Sequence, residues 1–227
     1  MRYQGKYSNG KPPRKRRNNR IWLSSLCVLL AAMVIVTGAV FAKYKQSVAL
    51  KPVNLTVSSG HLAATFTLQE HLAVRQSNGI YTLHGTKTVA SNTYSVTPGV
   101  AIPKNPHFTL TGKSKLPAYL YVEIIDGLGT SGLAYTVNNN WLDLNLTGKN
   151  GGKVYVYTGG GTTGKLLDET FNVSPIYILE NNQVTVSNAN TSYQNVTLTF
   201  HGYLAQASLA NTPKEVYEHC FGGGNKT

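Results

Sequence analysis

Two cysteines stand in 227 residues, and one of them, Cys27, lies inside a long apolar run. Cys220 alone cannot close an internal disulfide, which excludes a disulfide-stapled domain. It reads as a thiol in the C-terminal tail, with a bond between chains left open. Charge is scarce too. Asp, Glu, Lys and Arg make up 13% of the chain, about half the usual ~25%. Beyond residue 42 no window sustains an apolar period of 3.6, so a helical fold is disfavoured. The chemistry-bearing motifs are missing as well. There is no His-Glu-x-x-His and no Gly-x-Ser-x-Gly, hence no helical pair of zinc ligands and no nucleophile elbow. Glu70-His71 is a lone pair without a third ligand nearby in sequence. Gly159 to Lys165 has the spacing of a phosphate loop, but Leu166 stands where the magnesium-binding hydroxyl belongs, so it reads as a hairpin loop. No metal, no cofactor and no enzyme activity are expected.

Acids are the rarest group, nine against 21 Lys and Arg, for a net charge of +12. A charge that large suggests nucleic acid; its distribution argues otherwise. Eight of the basic residues (Arg2, Lys6, Lys11, Arg14, Lys15, Arg16, Arg17 and Arg20) fall within residues 1–20, where no acid occurs. Residues 21–42 follow without one charge. Residues 43–227 hold 13 basic and nine acidic residues, 13 − 9 = +4.

A basic stretch followed by an apolar run and small residues is the layout of a secretory leader. Residues 1–20 form its cytoplasmic basic region, and residues 21–42 its apolar segment. Val40 and Ala42 flank the bulky Phe41, which fits signal-peptidase cleavage before Lys43, with cleavage after Ala39 as a weaker site. Left uncut, residues 21–42 are long enough to span a bilayer, with the basic flank kept inside. Either way residues 43–227 are exported, to the medium or to the cell surface. The partners expected are the membrane and signal peptidase during export, and no nucleic acid.

The exported part alternates with period two, the pattern of half-buried strands. Leu62, Ala64, Phe66 and Leu68 alternate with Ala63, Thr65 and Thr67. Leu120, Val122 and Ile124 share one face of residues 117–125. Leu142, Leu144 and Leu146 share a face read as inward. Val154 and Val156 oppose Tyr155 and Tyr157. Val196, Leu198, Phe200, Gly202 and Leu204 alternate with Asn195, Thr197, Thr199 and His201. Shorter strands are expected at residues 80–83, 108–110 and 183–186. Asn78-Gly79, Pro98-Gly99, Asp126-Gly127 and Asn150-Gly151-Gly152 supply turns. Many short strands at even spacing predict an all-β sandwich or barrel. Leu166–Thr170 and Pro213–Cys220 read as short helices, the second because proline is tolerated at a helix start. The expected organisation is an arm or edge strand over residues 43–60, a β-sandwich over 61–210 and a partly disordered tail over 211–227.

Within the arm, Val48 and Leu50 share one phase, while Val53, Leu55 and Val57 share the other, and the slip falls at Pro52. Proline lacks an N–H and belongs on edges or at bulges. Ser47 to Ser58 therefore reads as an edge strand broken at Pro52. A detachable edge strand can pair with another subunit's sheet, its alternate side chains filling that sheet's groove. Tyr119, Tyr121, Tyr155 and Tyr157 offer a second surface: an exposed aromatic ladder for a glycan or a partner protein, or cross-strand pairs within the sheet.

Several short motifs follow one another in a suggestive order: Thr37 to Tyr44 at the leader end, Ser59-Gly60-His61-Leu62, Val96 to Pro106 with its Pro-Gly turn, Pro117 to Val122, Trp141, Tyr155-Val156-Tyr157 and Tyr203 to Ala207. Together they resemble the TasA/camelysin-type exported proteins of Gram-positive bacteria, which are biofilm matrix fibre subunits and their relatives. The chain departs from that pattern in its long basic leader and in Thr111-Gly112-Lys113-Ser114, which lacks the family's Asn. The resemblance implies a jelly-roll-like β-sandwich, processing by a dedicated signal peptidase, and fibre assembly with like matrix subunits through a donated N-terminal strand. The alternative is a monomeric surface module holding a glycan or partner protein, with a secreted hydrolase third.

Overall fold

The alternating segments do form strands. The computed structural model describes residues 65–114, 116–187 and 196–222, together with the backbone of residues 45–49. Twelve strands are present among them: β1 (Lys45–Ala49), β2 (Thr65–Arg75), β3 (Tyr81–Val89), β4 (Ile102–Pro103), β5 (His107–Thr111), β6 (Ala118–Asp126), β7 (Leu133–Ala134), β8 (Trp141–Thr147), β9 (Lys153–Tyr157), β10 (Ile176–Tyr177), β11 (Gln183–Val186) and β12 (Leu198–Gln206). They make three antiparallel sheets, in the orders β1-β12-β6-β9-β8, β10-β5-β2-β3 and β4-β11-β7. One helix, α1 (Pro213–Phe221), completes the set. The fold is all-β. Among the described residues no helix is long and apolar enough to cross a membrane. The leader, with Val40, Ala42 and Lys43, lies outside them.

The five- and four-stranded sheets face each other across an apolar core. Phe66 and Leu68 of β2 and Phe108 of β5 meet Leu120, Val122 and Ile124 of β6 and Phe200 and Leu204 of β12. The sheets approach so closely at Gly202 that a Cβ there would strike the rings of Phe108 and Phe66. Glycine in a central strand marks such a close approach. This sandwich-like packing buries Phe66, Leu68, Leu120, Val122, Ile124, Phe200 and Leu204, from the alternating rows of β2, β6 and β12.

The other face of the five-stranded sheet is covered as well, by α1. Val216, Tyr217, Cys220 and Phe221 pack there against Tyr121, Val154, Val156, Tyr203 and Ala205. The helix begins at a capping box: the Thr212 hydroxyl accepts from the Glu215 N–H, and the Glu215 carboxylate accepts from the Thr212 N–H. Cys220 is therefore a buried helical residue, not a tail thiol, and the folded unit runs through residue 222.

Two further expectations are corrected. Leu142, Leu144 and Leu146 do share a face, but it is the one α1 covers. Leu142 stays 40% exposed, and Trp141 takes the core position instead. A register shift between Asp143 and Thr147, with Asn145 at φ 52°, bends this strand. Leu166–Thr170 is not helical. Leu167 exchanges backbone hydrogen bonds with Ala118, at 2.8 and 3.0 Å, and the Asp168 carboxylate caps a turn by accepting from the Thr170 N–H.

Candidate functional site

The N-terminal arm is where sequence placed assembly. β1 forms the outermost strand of the five-stranded sheet, antiparallel to β12, in the register Lys45–Ala205, Gln46–Leu204, Ser47–Tyr203, Val48–Gly202 and Ala49–His201. It sits two residues upstream of the expected Ser47 start. Val48 falls inside it, while Leu50, Val53, Leu55 and Val57 lie outside the described residues. On its other side β12 pairs with β6 along its whole length, from Leu198–Asp126 to Gln206–Ala118. Residues 202–205 of β12 are buried on both faces, by the inter-sheet core and by α1. β1 supplies the partners for the N–H and C=O row along that edge of β12.

The four tyrosines do not gather into one surface. Tyr119 and Tyr121 lie on the α1 side of the sheet, whereas Tyr155 and Tyr157 lie on the core side. Tyr121 is fully buried. Its hydroxyl donates to the Pro213 carbonyl at 2.9 Å, and burial pushes its pKa far up. Tyr157 packs edge-on against Trp141 and Phe171. The exposed ladder is thus corrected: neighbouring strands present opposite phases to the same face, so β6 sends its tyrosines one way and β9 the other. Only Tyr119 and Tyr155 remain partly accessible.

The Glu70-His71 pair belongs to a buried polar cluster. The Glu70 carboxylate meets Lys104 Nζ at 3.0 Å and accepts from the Asn92 N–H at 2.6 Å. The β2–β3 register shifts between His71 and Ala73, and asparagine side chains satisfy the backbone left unpaired there. Asn92 accepts from the Ala73 N–H and donates to the His71 carbonyl, while Asn105 accepts from the His71 N–H. The His71 and His107 rings stack at 5.0 Å, and burial holds the His107 imidazole below its ordinary value. Among the described residues no cluster of three or more His, Cys, Asp or Glu is arranged to hold a metal. The geometry of this cluster is that of a bulge held in place.

A third feature was not read from the sequence. Glu123, in the middle of β6, is fully buried on the α1 side. Its carboxylate accepts from Tyr203 Oη at 2.5 Å, from Asn150 N at 2.8 Å, from Asn150 Nδ2 at 2.8 Å and from Gly152 N at 3.0 Å. Burial alone would raise its pKa, but these hydrogen bonds outweigh burial and hold it below the ordinary carboxylate range. The carboxylate so fills the β8–β9 turn that a Cβ at Gly148 would collide with it. The sequence sign was an acid in the middle of a strand whose neighbours there are apolar and aromatic.

The turn that Glu123 anchors forms one wall of a cleft of about 550 Å³. The opposite wall is the segment from Asp126 to Val137, which includes β7. Asp126, Tyr135, Thr136, Lys153 and Tyr155 supply its polar side chains. No family model, no curated protein and no solved structure matches this chain.

Proposed function

We propose that this chain is an exported structural protein of the cell surface or extracellular matrix, of the TasA/camelysin type, which joins like subunits by exchanging β1. The single observation that supports the reading is the place of β1: an edge strand near the chain's N-terminal end, paired through its backbone to a β12 that is buried on both faces. A ladder of this length offers on the order of five backbone hydrogen bonds, each contributing about 1 kcal/mol net. The same ladder forms whether β1 comes from its own chain or from a neighbour. Exchange is then nearly isoenergetic, and local concentration decides it, with a tethered strand present at about millimolar effective concentration. Leader and export put subunits where such concentrations arise, at a membrane surface or in a matrix. In this reading the sandwich is jelly-roll-like, the leader is cut before Lys43 or retained as an anchor, and the role is structural rather than catalytic.

Cysteine trapping tests it. Ala49 and His201 face each other in the register, and the α-carbons of directly opposed strand residues lie within disulfide reach. Chains carrying Ala49→Cys, mixed at high concentration with chains carrying His201→Cys, should oxidise to mixed dimers. The double variant should form ladders. A double variant that gives only intrachain bonds, with no mixed dimers from the single variants, would sink the proposal. A second reading, a monomeric binding module, is favoured by the Asp126–Tyr155 cleft alone.

A further inference from the structure

We infer that the cleft between the Asp126–Val137 segment and the β8–β9 turn binds a neutral oligosaccharide. It is concave and of the size that holds a small ligand, and polar groups outweigh apolar ones in its lining. Its floor includes Ile124, Leu128 and Leu133. Asp126 and Lys153 are the charged residues of the lining, one of each sign, so the wall favours neither an anion nor a cation. That balance selects against acidic polysaccharide and against polyamines, and suits a ligand rich in hydroxyls.

The groups present are those that grip such a ligand. The Asp126 carboxylate is held in place at one oxygen, Oδ1 accepting from the Leu128 N–H at 2.9 Å. Its remaining lone pairs can accept from adjacent sugar hydroxyls. Tyr135 and Tyr155 line the same cleft, each near enough to this carboxylate to feel its charge. Burial and the neighbouring carboxylates push both phenols up, so they remain protonated donors. Half-buried rings also offer the apolar faces on which sugar C–H groups pack. Gly129 and Gly151 leave the rim open: a Cβ at either would meet nothing within 4 Å. The buried Glu123 carboxylate fixes the turn that carries Gly151 and Gly152, so this wall is preformed. The cleft lies on the β6–β9 side of the sheet, away from the β1 edge. The inference therefore holds whether the chain acts alone or assembles through β1.

The test is saturation-transfer NMR and calorimetry on the full chain, with cello-, chito- and malto-oligosaccharides as neutral probes and polygalacturonate and spermine as charged ones. At least one neutral probe should bind saturably at millimolar concentration or better. Asp126→Asn keeps the Oδ1 acceptor for Leu128 but removes the charge. Tyr135→Phe keeps the ring but removes the donor. Each should weaken binding about tenfold, the value of one good hydrogen bond to a charged or oriented group. Failure of every neutral probe, preference for a charged one, or unchanged affinity in both Asp126→Asn and Tyr135→Phe overturns the inference. Unchanged circular dichroism in these variants separates lost binding from lost fold.

Discussion

Replacing Glu123 by alanine should be among the most damaging single changes in this protein. Four hydrogen bonds end on its carboxylate, at 2.5 to 3.0 Å, in a site with no solvent exposure. After truncation, Asn150 Nδ2 still reaches Tyr203 Oη at 2.8 Å. The Asn150 and Gly152 N–H groups and the Tyr203 proton lose their acceptor. Each buried donor left unsatisfied costs about 1–3 kcal/mol. Gly151 beside them is exposed, so water relieves part of this, and the net loss should be about 4 kcal/mol, within the range for breaking a buried charged network. Glu123→Gln keeps one acceptor oxygen but turns an amide toward the Tyr203 hydroxyl, and should cost about 2 kcal/mol.

Acid adds a second, independent signature. The folded pKa of Glu123 is depressed, so its contribution is fully present above the unfolded carboxyl value of about 4.3. It is lost as pH falls from there through the folded value. Urea unfolding followed by tryptophan fluorescence checks both. The stability gap between the wild type and Glu123→Gln should be constant at neutral pH and shrink below about pH 4. A loss under about 1 kcal/mol for Glu123→Ala, or a gap that does not change in acid, refutes the reasoning.

Two other substitutions probe the frame around the site. Gly202→Ala would drive a methyl into the Phe108 and Phe66 rings; overpacking there should cost about 1–3 kcal/mol, read as a lower urea midpoint at unchanged slope. Lys104→Met removes the 3.0 Å partner of Glu70, whose carboxylate is almost fully buried. The expected loss is about 3 kcal/mol, and Glu70→Gln placed on top of it should restore part of that stability, since the uncompensated charge is then gone.

The sandwich and the cleft also bear on each other. β6 is the shared element. Its core face carries Leu120, Val122 and Ile124, its α1 face carries Tyr121 and Glu123, and its end carries Asp126 at the cleft. On the proposed reading, a subunit joined to its neighbours at the β1 edge keeps this cleft available to matrix polysaccharide.

Much of the strand map could be read from alternation alone, because a period of two is a local property of the chain. β9 at Lys153–Tyr157 and β11 at Gln183–Val186 fall on the expected residues, and the expected helix at Pro213 begins there. The charge asymmetry of residues 1–42 is likewise written in the sequence. Alternation states which residues share a face; it does not state what covers that face. So Leu142, Leu144 and Leu146 belong together, yet on the side α1 covers, and the four tyrosines divide between two sides of one sheet. Cys220 could be placed only once α1 was seen against Tyr121 and Tyr203. Glu123 depends on donors 27, 29 and 80 positions away, and the cleft depends on two segments that meet only after the sheets pack. Such features arise from long-range contact, whose geometry no local pattern encodes. The sequence determined an alternating, sparsely charged β-chain behind a basic N-terminal stretch and an apolar run. Tertiary structure decided which of its polar groups are sealed inside and which line an open cleft, because burial is set by what packs on each face.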